Sequence, residues 1–209
     1  MIRSVLIFVA CIGLMSCATP NEDLTKAPKP LGEFRLGHNI AIADNVTLGP
    51  FSRQLSETKL EASVQNAVAK RLRRYDGDGL YHLGIVVGGL VLAQPGIPVV
   101  YAPQSVMIVD VTVFDNSTQE KLNAKPKRIT SGEGLRNAVP FLGSGYVRSA
   151  DEQLANLSES VALGIERWLK DNPEWFEPKP GQIRVPYNVR TQAPSIDSSS
   201  TADIAEAAN

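Results

Sequence analysis

Few residues in this chain are placed to do chemistry. His38 and His82 each fall within an apolar, strand-like run and have no Cys, Asp or Glu at the spacing a metal-ligand set needs. Positions on a face or edge of a sheet are expected for both. Asp76-x-Asp78 supplies the first two carboxylates of a calcium loop, but Leu80 and His82 stand where such a loop needs oxygen ligands. A turn after a helix accounts for it better. Gly143-Ser144-Gly145 has half the spacing of a nucleophile elbow, yet Leu142 stands where a glycine must precede the serine by two. Neither that segment nor Gly84 with Gly88-Gly89 leads into the lysine or helix start on which a phosphate cradle depends. The expectation is a protein without catalytic residues, metal or cofactor.

Cys17 is the exception, because of what precedes it. Arg3 gives a positive start, and Val5 to Leu14 form an apolar run of about ten residues, too short to span a bilayer that needs ~20. Residues 1–16 therefore read as a cleaved leader. The last four positions, Leu14-Met15-Ser16-Cys17, resemble the lipobox of bacterial lipoproteins, whose cysteine receives a diacylglyceryl thioether. The resemblance implies lipidation at Cys17 and a membrane as partner, since several acyl chains at ~0.8 kcal/mol per buried methylene anchor stably where one does not. Ala18 follows where an aspartate would resemble an inner-membrane retention signal, so the expected address is the outer membrane, periplasmic face. Cys11 leaves with the leader, so no intramolecular disulfide is expected.

With 43% hydrophobic and 21% charged residues, the composition is that of an ordinary globular domain. The net charge of -1 argues against a nucleic-acid partner, which requires a basic surplus. Lys70, Arg71, Arg73 and Arg74 cluster in the last turns of a predicted helix, where cations complement the dipole, and read as a solvated helix end.

Residues 17–32 carry Pro20, Pro28 and Pro30 among polar neighbours and read as a tether. Residues 178–209 contain four further prolines, Pro178, Pro180, Pro186 and Pro194, then Ser198-Ser199-Ser200; a mostly disordered tail is expected, with a short edge strand possible at Ile183, Val185 and Tyr187. Residues 33–177 form the globular part. Phe34, Leu36, Ile40 and Ile42 alternate as a first strand, and Leu60, Val64, Ala67, Val68, Leu72 and Tyr75 recur at helical spacing until Asp76-Gly77-Asp78-Gly79, whose residues tolerate positive φ. Tyr81 to Leu92 and Val106 to Phe114 are strands, the second with Met107, Val109, Val111 and Val113 on one face. Lys127 to Thr130 read as a short fourth strand. Ser149-Ala150-Asp151-Glu152 opens a long helix as a capping box, with Leu154, Leu157, Val161, Ile165 and Trp168 as its buried stripe. The order β-α-β-β-(β)-α predicts an α+β fold, a small, mainly antiparallel sheet with two helices packed on one face.

Two apolar segments are not absorbed by these elements. Gly88 to Pro103 contains three prolines, which prevent continuous pairing inside a sheet, and Val139 to Val147 is apolar around a Gly-Ser-Gly centre. Both can fold over the sheet and complete the core. The sharper expectation is that Val99, Val100, Tyr101, Phe141 and Leu142 come together as an exposed apolar binding surface.

The run Val109-Asp-Val-Thr-Val-Phe-Asp-Asn-Ser-Thr-Gln-Glu-Lys-Leu122 resembles a pattern in uncharacterised bacterial envelope lipoproteins, with Gln119 where glycine is usual. Gly143 to Ser158, with the helix ending in Trp168-Leu169, is similar to a group of alphaproteobacterial lipoproteins of unknown function. Together these cover roughly residues 105–170. They imply an envelope location and bring no activity with them. The functional expectation is a non-enzymatic outer-membrane lipoprotein that binds an envelope protein or lipid or helps assemble the envelope. A periplasmic carrier of an acyl chain or other small apolar ligand is the alternative, and a lipid-anchored hydrolase a third.

Overall fold

The computed structural model describes residues 22–50, 52–94, 105–132 and 149–178. Strands β1 (Phe34–Ile42) and β2 (Thr47–Leu48) precede helix α1 (Glu57–Leu72); β3 (Gly79–Val91), β4 (Val106–Asp115) and β5 (Lys127–Gly132) precede helix α2 (Ala150–Lys170). Short 3-10 turns at Glu22–Thr25 and Pro173–Phe176 flank them. The sheet runs β1-β3-β4-β5, with β2 pairing β3 beyond the end of β1.

Both helices start where the sequence supplies caps. Ser56 accepts the Lys59 amide at the head of α1, and Ser149 and Glu152 satisfy each other's backbone amides at the head of α2. The helices pack against each other and on one face of the sheet, α1 against β1 and α2 against β4 and β5. Met107, Val109, Val111 and Val113 of β4 and Tyr81, Leu83, Ile85 and Val87 of β3 are buried on that face, in one core with Leu157, Val161 and Ile165.

The α+β class and the placement of both helices on one face are as the sequence predicts. The sheet is not mainly antiparallel but mixed. β3-β4 and β4-β5 are antiparallel, whereas β1-β3 and β2-β3 are parallel. The reason lies in the connection: α1 carries the chain back along the sheet, so β3 enters beside β1 in the same direction.

The end of the sheet near the start of β1 is closed by Phe34, Tyr75, Tyr81 and Phe176, whose rings meet in stacked and edge-on pairs at 5.0 to 5.8 Å. Leu31 is buried there too, and the Glu33 amide donates to the Phe176 carbonyl at 2.8 Å, so ordered packing begins ahead of residue 33. Gly77 is needed for close approach rather than for φ, since a Cβ there would meet the backbone of Glu33; among described glycines only Gly32 has positive φ. Gln119, at the position where glycine is usual in the resembling pattern, adopts φ 59°.

The cationic helix end is only partly solvated. Arg71 is buried and bonds Glu166 of α2 at 2.8 Å; Tyr75, Arg74 and Lys170 reach the other carboxylate oxygen. Arg73 and Lys70 remain exposed as expected.

Candidate binding face

The sheet face opposite the helices is where this fold departs from its own hydrophobic logic. Unbroken alternation would put Phe34, Leu36, Ile40 and Ile42 on one side. Instead β1 gains one residue against β3 between Leu36, paired with Tyr81, and Asn39, paired with Leu83. This bulge reverses the parity of the strand. Phe34 and Leu36 point into the core, then Ala41 and Ala43 do, while Ile40 is 57% and Ile42 44% exposed on the outer face. Val86, the direct β3 partner of Ile42, is 50% exposed beside them.

His82 holds the bulge. Its Nδ1 accepts the His38 amide at 2.9 Å, which assigns the ring proton to Nε2, where it is donated to Asn116 Oδ1 at 2.9 Å. The two imidazoles stack at 5.1 Å, and Gly37 leaves room for the His82 ring, which a Cβ would approach to 2.6 Å. Both histidines thus sit on the sheet face, and the two ring nitrogens of His82 are engaged by the His38 amide and by Asn116.

The outer row of β3 is otherwise small. Gly84, Gly88 and Gly89 alternate around Val86, with Ile108 and Phe114 of β4 leaning toward Gly89 and Gly84. A Cβ at Gly84 would lie 3.6 Å from Phe114, and one at Gly89 3.5 Å from Ile108, both ordinary contacts. The result is a shallow trough between Ile40 and Ile42 on one side and Ile108 and Phe114 on the other. Farther across, Arg128 of β5 clasps Asp110 with two bonds of 3.0 and 2.9 Å, and these hold the Asp110 carboxyl below its usual pKa. Lys121 stands 5.9 Å from the Phe114 ring centroid.

The sheet's edges are blunted. On β1, the Asn39 side chain donates to the Gln65 carbonyl and Glu61 accepts the Ala43 amide, tying the strand to α1. Beyond β5, Asn123 bonds Val113 N and Val111 O in place of a strand, and Lys125, Pro126, Lys127 and Arg128 are exposed along that side.

Cys17 and the five residues expected to form an apolar surface, Val99, Val100, Tyr101, Phe141 and Leu142, lie outside the described residues, as does Ser144. Leu48 of β2 is also exposed; the residues that expose apolar surface on this face, Ile40, Ile42 and Val86, were not singled out by sequence. Their signal was the glycine inside the β1 pattern, which marks bulges. A separate groove of about 240 Å³ lies between the helices and is lined by Ser63, Asn66, Lys70, Ser158 and Glu159 among others.

No family model matches the chain, and no curated protein is similar to it in sequence. Solved structures are similar in part. A Xanthomonas campestris protein of family DUF330 is 14% identical with a TM-score of 0.42, over 70% of this chain and 89% of that one. A Caulobacter crescentus protein named as a lipoprotein is 14% identical with a TM-score of 0.36, over 65% and 93%. The minor lipoprotein of Acinetobacter baumannii is 11% identical with a TM-score of 0.28, over 63% and 93%. At such values these likenesses bring no function to this chain. No helix among the described residues is long and apolar enough to cross a membrane.

Proposed function

We propose that this chain is a non-enzymatic, lipid-anchored component of the bacterial cell envelope, tethered at Cys17 to the periplasmic face of the outer membrane, and that it binds a partner protein through the open face of its sheet. The observation that carries the binding role is the bulge-enforced exposure of Ile40 and Ile42 beside Val86. A strand that turns two isoleucines from core to a half-exposed position, and uses a histidine to do so, gives up about half of the ~1.5–3 kcal/mol that full burial of each side chain would contribute. A binding partner recovers that loss. The apolar-carrier alternative lacks comparable support, because the groove between the helices is open and edged by Ser, Asn, Lys and Glu. The leader and the Cys17 motif support the anchor.

The test is photo-crosslinking in intact cells from positions 40 and 86, with position 62, exposed on α1, as control. A protein adduct at least ten times stronger from the face positions is expected. Equal yields from all three positions would overturn the binding role.

A further inference from the structure

The geometry points to an amphipathic helix, apolar along one stripe and acidic along one flank, as the element of the partner that docks on this face; the inference rests on the reading above and names the chemistry of the same site. Both edges of the sheet are blunted by a bulge, by side chains bonded in place of a strand, and by lysines and a proline, which disfavours an added strand. The face remains.

Its relief fits a helix. Strands lie ~4.8 Å apart, so the rows of β1 and β4 that border the trough are about 10 Å from each other, close to the ~10 Å width of a helix with its side chains. The floor between them is β3, where Val86 projects and Gly84 on one side and Gly88 and Gly89 on the other leave recesses, with His82 beyond Gly84. Gly88 and Gly89 adjoin the second register shift of the sheet, after Val87, but Gly84 is paired regularly on both sides. It has neither positive φ nor a neighbour closer than ordinary contact. Nothing among the described residues requires glycine at that position, and a glycine inside a strand weakens it. Such a residue marks the place where another backbone or ligand comes close. On the inner face the same device is filled: Gly164 of α2 lies against Ile129 of β5, where a Cβ would come within 2.9 Å. Apposing the same trough of a second copy would set recess against recess and leave both unfilled.

Charge sets the flank. On the β5 side the outer face carries Lys121 and Arg128, the latter paired with Asp110, and Lys125 is exposed nearby; Lys127, opposite buried Val111, belongs to the other face. A helix over β3 presents one of its sides to these cations, and carboxylates there are complementary.

The experiment sequences the partner segment cross-linked from positions 40 and 86 of the full-length anchored protein. The expected segment has apolar residues at i, i+3, i+4 and i+7 with Asp or Glu along one side. Gly84→Leu should cut the adduct at least ten-fold with thermal unfolding unchanged; should Leu itself destabilise the sheet, Gly84→Ala is expected to give a smaller cut in the same direction. Arg128→Glu combined with Lys121→Glu should also reduce it about ten-fold. A segment of strand-like alternation, an adduct to lipid, a cross-linked second copy, or a yield indifferent to residue 84 overturns the helix while leaving the binding face standing. Loss of preference over position 62 removes both.

Discussion

Single residues separate what holds the domain together from what it offers to others. Glu166 belongs to the first kind. Burial works against its carboxylate, but hydrogen bonds from Tyr75, Arg71 and Lys170 outweigh burial and hold its pKa below the ordinary value. A lowered folded value means stability that is present above the unfolded pKa, ~4.3, and lost as pH falls through the folded one. Glu166→Gln should cost about 3–5 kcal/mol at pH 7, because buried Arg71 loses the carboxylate it bonds at 2.8 Å. The variant should then lose less further stability than the parent between pH 5 and 3. Parallel curves of melting temperature against pH would assign the acid sensitivity elsewhere. The glycines divide in the same way. Gly77→Ala forces a Cβ into the backbone of Glu33 and should cost about 1–3 kcal/mol in denaturant unfolding, whereas Gly84→Ala should be neutral or stabilise by up to ~1 kcal/mol. Equal losses at both sites would mean that Gly84 serves the fold, and the trough would lose its meaning.

At the scale of elements, what the sequence reveals depends on whether local patterning is interrupted. The strand Val106–Asp115 obeys a single period, and its buried face was legible residue by residue. In the capped helix Ala150–Lys170, Leu154, Leu157, Val161 and Ile165 are buried as read, but Trp168 is only partly so and Leu169 takes the buried position. β1 was legible as a strand but not in its facing, because one inserted residue moves every later side chain across the sheet and only long-range pairing with β3 records it. The parallel order of β1 and β3 was hidden for a related reason, since it is a property of the crossover and not of either strand. The bulge makes its own prediction. His82→Ala removes the acceptor of the His38 amide, so exchange of that amide should accelerate about ten-fold, matching a hydrogen bond of ~1–1.5 kcal/mol. Amides of β4 should keep their protection. If exchange at residue 38 is unchanged, the strand holds its bulge without the histidine, and the exposure of Ile40 and Ile42 is set by β3 pairing alone.

For the whole molecule, two functions are assigned to separable parts, adhesion to the anchor and recognition to the sheet. The candidate site was the least legible part: the sequence pointed to apolar loops outside the described residues, whereas the exposed face arises from strands that look like core in one dimension. The proposed anchor, by contrast, is read from a contiguous stretch, and its consequence can be tested without touching the fold. Residues 22–25 form a 3-10 turn and the Lys26 carbonyl accepts from Arg74 at 3.0 Å, so the proposed tether shortens to residues 17–21, whose extended reach is on the order of 15 Å. The Lys26 carbonyl, bonded by Arg74, and then buried Leu31 and the Glu33-Phe176 bond mark where this segment joins the domain. Cys17→Ala should therefore leave far-UV circular dichroism and melting temperature unchanged within a degree or two, abolish incorporation of labelled palmitate, and move the protein out of the high-salt-washed membrane fraction. Cross-linking from position 40 should fall with it, because tethering supplies the effective concentration for a weak face-to-helix contact. Retention of the variant in washed membranes would show that a surface of the domain itself binds lipid, and the open sheet face would then be the first place to look.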